Sequence, residues 1–250
     1  LVYAVLMNLF FDFYTLSPLL MSQTFILMAI NNIFKRIDNK TKDQFFLNTG
    51  IFLGLAALFY LPSVVIFFSM LLALLLFTGS IARRYLLMIY GFVLPISLCW
   101  LYYFWQGAHR EFITQFVSSV LFIKPTIYYS FTSLLIVSCV PVLLLLLAGY
   151  QLVRYSRYVN FQVRFQYVMV FMLVLSLTTF YFSKVFAPFQ LIIFVPATAF
   201  FINHYFLLLR RRFLAEVLFL VFVALIVGVN YSAAYNLGGF RRILQNERFM

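Results

Sequence analysis

Long apolar runs recur along this chain, and they constrain its fold more than any other feature. A membrane-spanning helix needs about 20 predominantly apolar residues, and such runs are found from one end of the sequence to the other. Only 10% of the 250 residues are charged and 65% are hydrophobic, whereas a soluble domain has about 25% charged residues. The runs are continuous rather than alternating, so we predict helices within lipid rather than strands.

We therefore predict an all-α fold, a polytopic transmembrane helix bundle with about eight or nine spans. Pro62 divides an apolar stretch that would otherwise form one helix over 45–79, because proline removes a helical hydrogen bond and clashes with the preceding turn; a tight hairpin is expected there. Pro95, Pro141 and Pro196 are expected to kink their spans. The predicted spans are 1–13, 18–35, 45–61, 62–79, 85–105, 128–152, 165–183, 187–209 and 213–233.

The predicted bundle forms one transmembrane domain over residues 1–250. Its first span is short, so we expect a further segment before Leu1. The span 18–35 is the most polar and is also compatible with a half-buried, packed helix. Cys99 and Cys139 lie within predicted spans, where they are more typical of small core residues than of a disulfide.

Lysine and arginine residues in the short loops predict the orientation, because cytoplasmic loops of membrane proteins are enriched in them. Alternating spans put twelve on one side, which is therefore predicted to be cytoplasmic, and six on the outer side. The net charge of +12 is thereby explained by topology, and no nucleic-acid partner is predicted. The twelve are Lys35, Arg36, Lys40, Lys42, Arg83, Arg84, Arg154, Arg157, Arg164, Arg210, Arg211 and Arg212; the six are Arg110, Lys124, Lys184, Arg241, Arg242 and Arg248.

The most polar outer segment begins with His109, Arg110 and Glu111. From Glu111 onward, apolar and polar pairs alternate every four residues, which predicts an outer interfacial amphipathic helix over about 110–123. One interpretation is a helix start with a favourable acid, a snorkelling arginine and an incidental histidine. The other is that the helix covers an outward-facing site and that the three residues supply its chemistry.

Aromatic residues surround that segment, within a chain that has 34 Phe and 17 Tyr. Tyr102, Tyr103, Trp105, Tyr128 and Tyr129 are predicted at the outer border of the membrane. They are typical of the aromatic belt at a membrane interface. Stacking on a sugar is the alternative.

Other charged residues on the predicted outer side offer a second candidate site. Asp12 ends the first span, where it either reaches water or serves a function, as acids at the bilayer border often do. Arg110, Lys184 and Arg241 form a basic rim that is either only solvated or holds a phosphate group while an acid moves a proton. Oxygen ligands and phosphate suit a divalent cation, for which Asp12 is the candidate acidic ligand.

One polar pair is predicted near the cytoplasmic side. His204 lies two turns before the end of its span and Glu216 about one turn into the next, at similar depth. A hydrogen bond between them would hold the two helices together, a contribution of about 1 kcal/mol. A path for protons or ions is the alternative.

Residues 31–67, NNIFKRIDNKTKDQFFLNTGIFLGLAALFYLPSVVIF, carry a resemblance to a known family. A basic loop follows an asparagine-bearing helix and leads to the sequence Gly-Leu-Ala-Ala-Leu-Phe-Tyr before the predicted hairpin. The segment resembles an uncharacterised, domain-of-unknown-function family of polytopic inner-membrane proteins from Bacteroidetes. The resemblance implies a multi-pass protein of the bacterial inner membrane. The C-terminus is predicted on the periplasmic side from the alternating spans and their loop charges. That family has no established activity, so no reaction follows.

The layout is also similar to that of the GT-C membrane glycosyltransferases, which use lipid-phosphate sugar donors. Those enzymes carry a catalytic acid on the first outer loop and interfacial helices between spans, and Asp12 and the helix 110–123 occupy comparable places. This chain lacks their paired acids, because DFYTLSPL offers Asp12 alone, and it lacks a large outer domain. The analogy implies an enzyme that acts on lipid-linked glycans at the outer leaflet.

In that function Asp12 would be the general base or metal-binding acid, with His109 and Glu111 as secondary acid–base groups. Phosphate would be held by Arg110, Lys184 and Arg241. The alternative is a non-catalytic membrane subunit of a larger cell-envelope complex, held to other subunits by helix packing. A transporter is the third hypothesis, which the absence of an internal sequence repeat disfavours.

Overall fold

The computed structural model describes residues 1–8, 16–38, 43–77, 82–118, 126–127, 142–143, 145–146, 149, 160–180, 185–186, 188–209 and 212–234. Within these ranges the fold is all-α apart from one pair of two-residue strands, β1 (Thr126–Ile127) and β2 (Val185–Phe186), which run parallel. The nine α-helices of the described ranges are α1 (Val2–Met7), α2 (Pro18–Asp38), α3 (Gln44–Phe59), α4 (Val64–Phe77), α5 (Ala82–Trp105), α6 (His109–Ser118), α7 (Asn160–Ser176), α8 (Val195–Leu208) and α9 (Arg212–Ala234).

The predicted break at Pro62 is confirmed. Tyr60 leaves the helical region with φ −143° and ψ 100°, and Leu61–Ser63 form one 3-10 turn before α4 begins. Proline suits this first turn because the amide it lacks would have had no helical acceptor. The α3 helix packs chiefly against α2 and α5, whereas α4 packs chiefly against α7. The two halves of the predicted hairpin therefore take different partners.

The other prolines behave differently from one another. Pro95 lies inside α5, which continues through it as predicted. Pro196 lies within the helical segment Gln190–Leu208, which continues through it as predicted. Pro188–Phe194 form a 3-10 helix and α8 begins at Val195, so Pro196 lies in the first α-helical turn. There its fixed φ favours the helix start and its missing N–H costs nothing. Pro141 lies outside the described residues.

Two groups of helices each form a compact unit. In the first, α1 packs mainly on α8 and also contacts α9, and the β1–β2 pair belongs to the same unit. The second unit contains α2 to α7, with α3 packed between α2 and α5 and with α4 on α7. The single domain predicted over residues 1–250 stays a prediction.

Glycines bring the backbones of α3 and α5 into direct contact. A Cβ built on Gly50 would collide with the carbonyl oxygen of Met88, and one on Gly91 would collide with the carbonyl oxygen of Leu47. A Cβ on Gly54 would lie 2.5 Å from Cγ of Pro95. Gly50 and Gly54 are four residues apart, which is the small-residue spacing that lets membrane helices approach closely.

The α3 and α5 helices run parallel, because positions of increasing number on one helix meet positions of increasing number on the other. On the far side of α3, the rings of Phe25 and Phe59 stack with centroids 5.6 Å apart, so α2 runs antiparallel to it. The rings of Phe34 and Phe165 meet edge to face at 4.4 Å, which puts the end of α2 beside the start of α7.

Within this second unit, the described cations of the predicted cytoplasmic side lie at one end of the helices. The helix ends involved are the C-terminal end of α2 and the N-terminal ends of α3, α5 and α7. The α6 helix follows the opposite end of α5, about 36 Å away for 24 residues. The described cations at the first end are Lys35 and Arg36 on α2, Arg83 and Arg84 on α5, and Arg164 on α7.

Among the described residues, two helical segments are long and apolar enough to cross a membrane: Ala82–Trp105 and Gln190–Leu208. Shorter apolar helices comprise Gln44–Phe59, Leu61–Leu75, Val163–Thr179 and Ala215–Gly228. Helix α2, which covers the predicted span 18–35, is in neither group. Its buried polar side chains, Ser22 and Gln23, support the packed-helix alternative for that segment.

Candidate functional site

The turn between α5 and α6 sets the direction of the predicted outer helix. Gly107 has φ +74°, a conformation that residues with a Cβ rarely adopt. The N–H of Ala108 donates to the carbonyl of Tyr103 and that of Gly107 to the carbonyl of Phe104, each at 3.0 Å. These two bonds form a Schellman motif. It ends α5 and leads directly into α6.

The residues predicted as a catalytic cluster form the first turn of α6, as the sequence indicated. His109 is half-buried, with its ring centroid 5.8 Å from that of Phe104. Arg110 and Glu111 are exposed, and the hydroxyl of Thr114 donates to both of their backbone carbonyls. Neighbouring residues of a helix do not face each other. The three side chains are therefore spread around the turn and do not converge on one point.

Aromatic rings hold α6 against the end of α5. Phe112 lies 5.2 Å from Tyr103 across the turn and stacks on Phe116 at 5.3 Å. Phe112 and Phe116 belong to the apolar stripe that predicted this helix. On α5, Trp105 is 90% exposed. The stripe is therefore covered in part by α5, and the surrounding aromatic surface remains open.

The polar pair predicted near the cytoplasmic side lies on α8 and α9, which contact each other. The His204 ring is half-buried and parallel to that of Phe200, with centroids 6.2 Å apart and an interplanar angle of 5°. Glu216 is exposed in the second turn of α9. A hydrogen bond between His204 and Glu216 stays a prediction.

Three of the predicted site residues lie outside the described residues: Asp12, Lys184 and Arg241. Their proposed roles as a catalytic acid and as phosphate ligands therefore stay predictions. Residues 119–123 of the predicted interfacial helix also lie outside the described residues. Within the part of the chain that the structure describes, no group of three histidine, cysteine or acidic side chains is arranged to hold a metal ion.

A charged cleft that the sequence reasoning missed lies at the N-terminal ends of α3 and α5. Asp43, Gln44, Leu47, Arg83 and Leu87 line a cavity of about 490 Å³. The sequence reasoning had treated the two arginines of this region only as markers of orientation. Because the acid and the arginines are forty residues apart in sequence, no local spacing indicates their meeting. The close packing of α3, in contrast, could have been found from the sequence, since Gly50 and Gly54 have the four-residue spacing of small residues in membrane helix pairs.

Comparisons of this chain with protein-family models, with curated proteins and with solved structures gave no match. The resemblance of residues 31–67 and the layout analogy with GT-C enzymes therefore stay predictions from the sequence.

Proposed function

We propose that this chain is a multi-pass helical protein of a bacterial inner membrane, with α6 lying in the plane of the outer membrane–water interface. The apolar side chains that α5 and α9 expose support this placement, because large apolar surfaces are costly in water. The glycine contact between α3 and α5 supports it too, since membrane helices pack through small residues. Leu98, Leu101, Leu220 and Val221 are among those exposed side chains.

The distribution of charge along α5 supports the orientation. Arg83 and Arg84 lie in its first turn, beside the start of α3, whereas Trp105 and α6 lie at its other end. Cytoplasmic ends of spans are enriched in arginine and lysine, and aromatic residues mark the interfaces. The arginine end is accordingly cytoplasmic and α6 is periplasmic in our proposal.

Within this placement, we assign the chain an enzymatic role on lipid-linked glycans of the outer leaflet. The observation that carries the assignment is the exposure of Arg110 and Glu111 in the first turn of α6, with His109 half-buried beside them. At the membrane–water interface, a cation on α6 can bind the phosphate of a lipid-linked substrate, and a carboxylate or imidazole can transfer a proton. Since the three side chains diverge, each acts on a different part of the substrate.

The residues outside the described ranges complete the proposal. Asp12 is the general base or metal-binding acid, and a divalent cation is the cofactor that its carboxylate and a phosphate would suit. Lys184 and Arg241 are candidates to hold phosphate, as is Arg110. These roles come from the predicted outer side that the residues share, and from the layout analogy with GT-C enzymes.

Replacement of the acid in α6 tests the enzymatic role. In cells that carry Glu111→Gln in place of the native chain, the lipid-linked glycan product should fall about 100-fold, the lower range for loss of a proton-transferring group. The measurement is mass spectrometry of extracted lipid-linked glycans, normalised to the amount of protein in the membrane. Asp12→Asn should give a loss of similar size.

Glu216→Gln is the matched control, because Glu216 is also an exposed glutamate but lies on α9. It should leave the glycans unchanged. Unaltered glycans in both the Glu111 and Asp12 variants, at normal protein abundance, would reject the enzymatic role.

A non-catalytic membrane subunit is the second candidate, and the divergence of the side chains in the first turn of α6 favours it. Under this alternative, purification in a mild detergent yields a stoichiometric partner protein. A monodisperse monomer in detergent, together with a loss of glycan product in cells that carry Glu111→Gln, would instead support the enzyme.

A further inference from the structure

The cleft between the starts of α3 and α5 has the size and the lining of a small anion site. We propose that it binds a phosphate group, with an anionic phospholipid headgroup as its occupant. The cavity of about 490 Å³ is lined by Arg83, Asp43 and Gln44 on its polar side and by Leu47 and Leu87 on its apolar side. A phosphate diester with its glycerol portion matches both kinds of wall.

The charges of the cleft are unequal. Asp43 is shared by two arginines: Nε of Arg84 lies 3.5 Å from its Oδ1, and Nε of Arg83 lies 3.9 Å from its Oδ2. Among the described residues of the cleft, the two guanidinium groups and the carboxylate sum to one net positive charge. A phosphate diester carries one negative charge, so its binding neutralises the site.

The two arginines are held to different extents. The Arg84 side chain is 19% exposed, and its guanidinium lies 5.7 Å from the centre of the Phe46 ring. The Arg83 side chain is 77% exposed. Arg83 is therefore the group that turns toward an incoming phosphate, while Arg84 keeps Asp43 in place.

The backbone adds to the attraction. Because α3 and α5 are parallel, the positive ends of both helix dipoles face the cleft, where they favour an anion. Asp43 occupies the N-cap position of α3, but its side chain makes no capping hydrogen bond. Its carboxylate instead lies beside the arginines, where it competes with a bound phosphate for them.

The apolar wall favours a lipid over free phosphate. Leu47 and Leu87 continue from the charged mouth along the two helices, the direction in which the glycerol and first methylenes of a lipid would extend. The inference rests on the membrane placement proposed above but not on the enzymatic role. Failure of the glycan experiment therefore leaves it intact, and its own failure leaves that experiment intact.

Native mass spectrometry of the full chain, purified in mild detergent, tests the site. The probes are phosphatidylglycerol and phosphatidylcholine, added separately, and the readout is the fraction of protein with one retained lipid. We expect phosphatidylglycerol to be retained preferentially. Loss of a charged hydrogen-bonding partner should reduce its apparent affinity about tenfold in Arg83→Gln, whereas Asp43→Asn, which removes the competing carboxylate, should raise it.

Arg164→Gln is the matched control, because Arg164 is exposed at the same end of the second unit but lies outside the cleft. It should retain phosphatidylglycerol as the native chain does. Circular dichroism of each variant confirms that the helices are intact, and Arg83 is sufficiently exposed for its replacement to preserve folding.

Inorganic phosphate distinguishes the two sources of the ligand. A rise in melting temperature with phosphate that depends on Arg83, without preferential lipid retention, would support the phosphate site but assign it to a soluble ligand. Equal retention of both lipids together with no Arg83-dependent phosphate effect would overturn the proposal. A loss of lipid retention in Arg164→Gln as large as in Arg83→Gln would overturn it as well. The lipid would then be attracted by the positive charge at that end of the helices in general and not by the cleft.

Discussion

The two faces of α5 differ in side-chain size and in burial. One face carries Gly91, Met88 and Pro95, which are buried, and meets α3 at backbone distance. The other face exposes large apolar side chains, among them Val93 at 50% and Leu98 at 58%. Only 17% of the most apolar window of this helix is buried within the protein, compared with 44% for residues 190–208.

This contrast shows what each face requires from its surroundings. The glycine face gains its stability from contacts that no longer side chain permits, because nothing larger than hydrogen fits between the two backbones. The exposed face makes few contacts within the protein, so its stability depends on the medium around it. In lipid that face is satisfied without any partner, whereas in water it would favour association.

The largest effect is expected when the glycine face is filled. In Gly54→Leu the new side chain would collide with the backbone of Phe92 and with Pro95. We expect a loss of about 3 kcal/mol, because the nearest atoms belong to the backbone of Phe92 and to the rigid ring of Pro95, which cannot move aside easily. The measurement is the yield of monodisperse protein and its melting temperature in detergent. Ala57→Gly on the same helix is the milder control, and normal stability of Gly54→Leu would contradict the close packing.

A charge on the other face should have the next largest effect. Val93 lies at the middle of α5, so Val93→Asp should make insertion about 3 kcal/mol less favourable. Fractionation of cells into membrane and soluble pools gives the readout, with Val93→Leu as the control of equal position. Recovery of Val93→Asp as a folded, water-soluble protein would show that this face meets water and would end the membrane proposal.

The smallest effect is expected for a shortened side chain on the exposed face. Leu98→Ala should change the free energy of unfolding by no more than about 0.5 kcal/mol, as is typical of surface substitutions. The melting temperature should therefore change little. If a partner protein covers this face, the same substitution should weaken its co-purification while leaving the isolated chain stable. The pull-down therefore distinguishes a lipid-facing surface from a subunit interface.

The positions of the helices were largely predictable from the sequence. Apolar runs and prolines are local signals, and the predicted spans 45–61, 62–79 and 85–105 closely match α3, α4 and α5. The polar residues of 18–35 correctly indicated that α2 differs from the apolar helices. The change from a 3-10 helix to an α-helix just before Pro196 was not predictable, because the apolar run is continuous across it.

The candidate site was less predictable than the helices. The alternation after Glu111 located α6, since amphipathic periodicity is a property of the segment itself. The divergence of His109 and Glu111 follows from helix geometry, so it was available in principle once the helix start was known. The meeting of Asp43 with Arg83 and Arg84 was not available, because it depends on the parallel register of two helices that are separated by α4.

The parallel direction of α3 and α5 also determines the order in which the helices can pack during synthesis. The chain leaves α3 at one end and enters α5 at the other, so α4 must carry it back before Gly54 and Gly91 can meet. Until the ribosome has released α5, the surface of α3 around Gly50 and Gly54 lacks the helix against which it packs. During synthesis the glycine surface of α3 stays open to incorrect contacts until α4 and α5 have been translated.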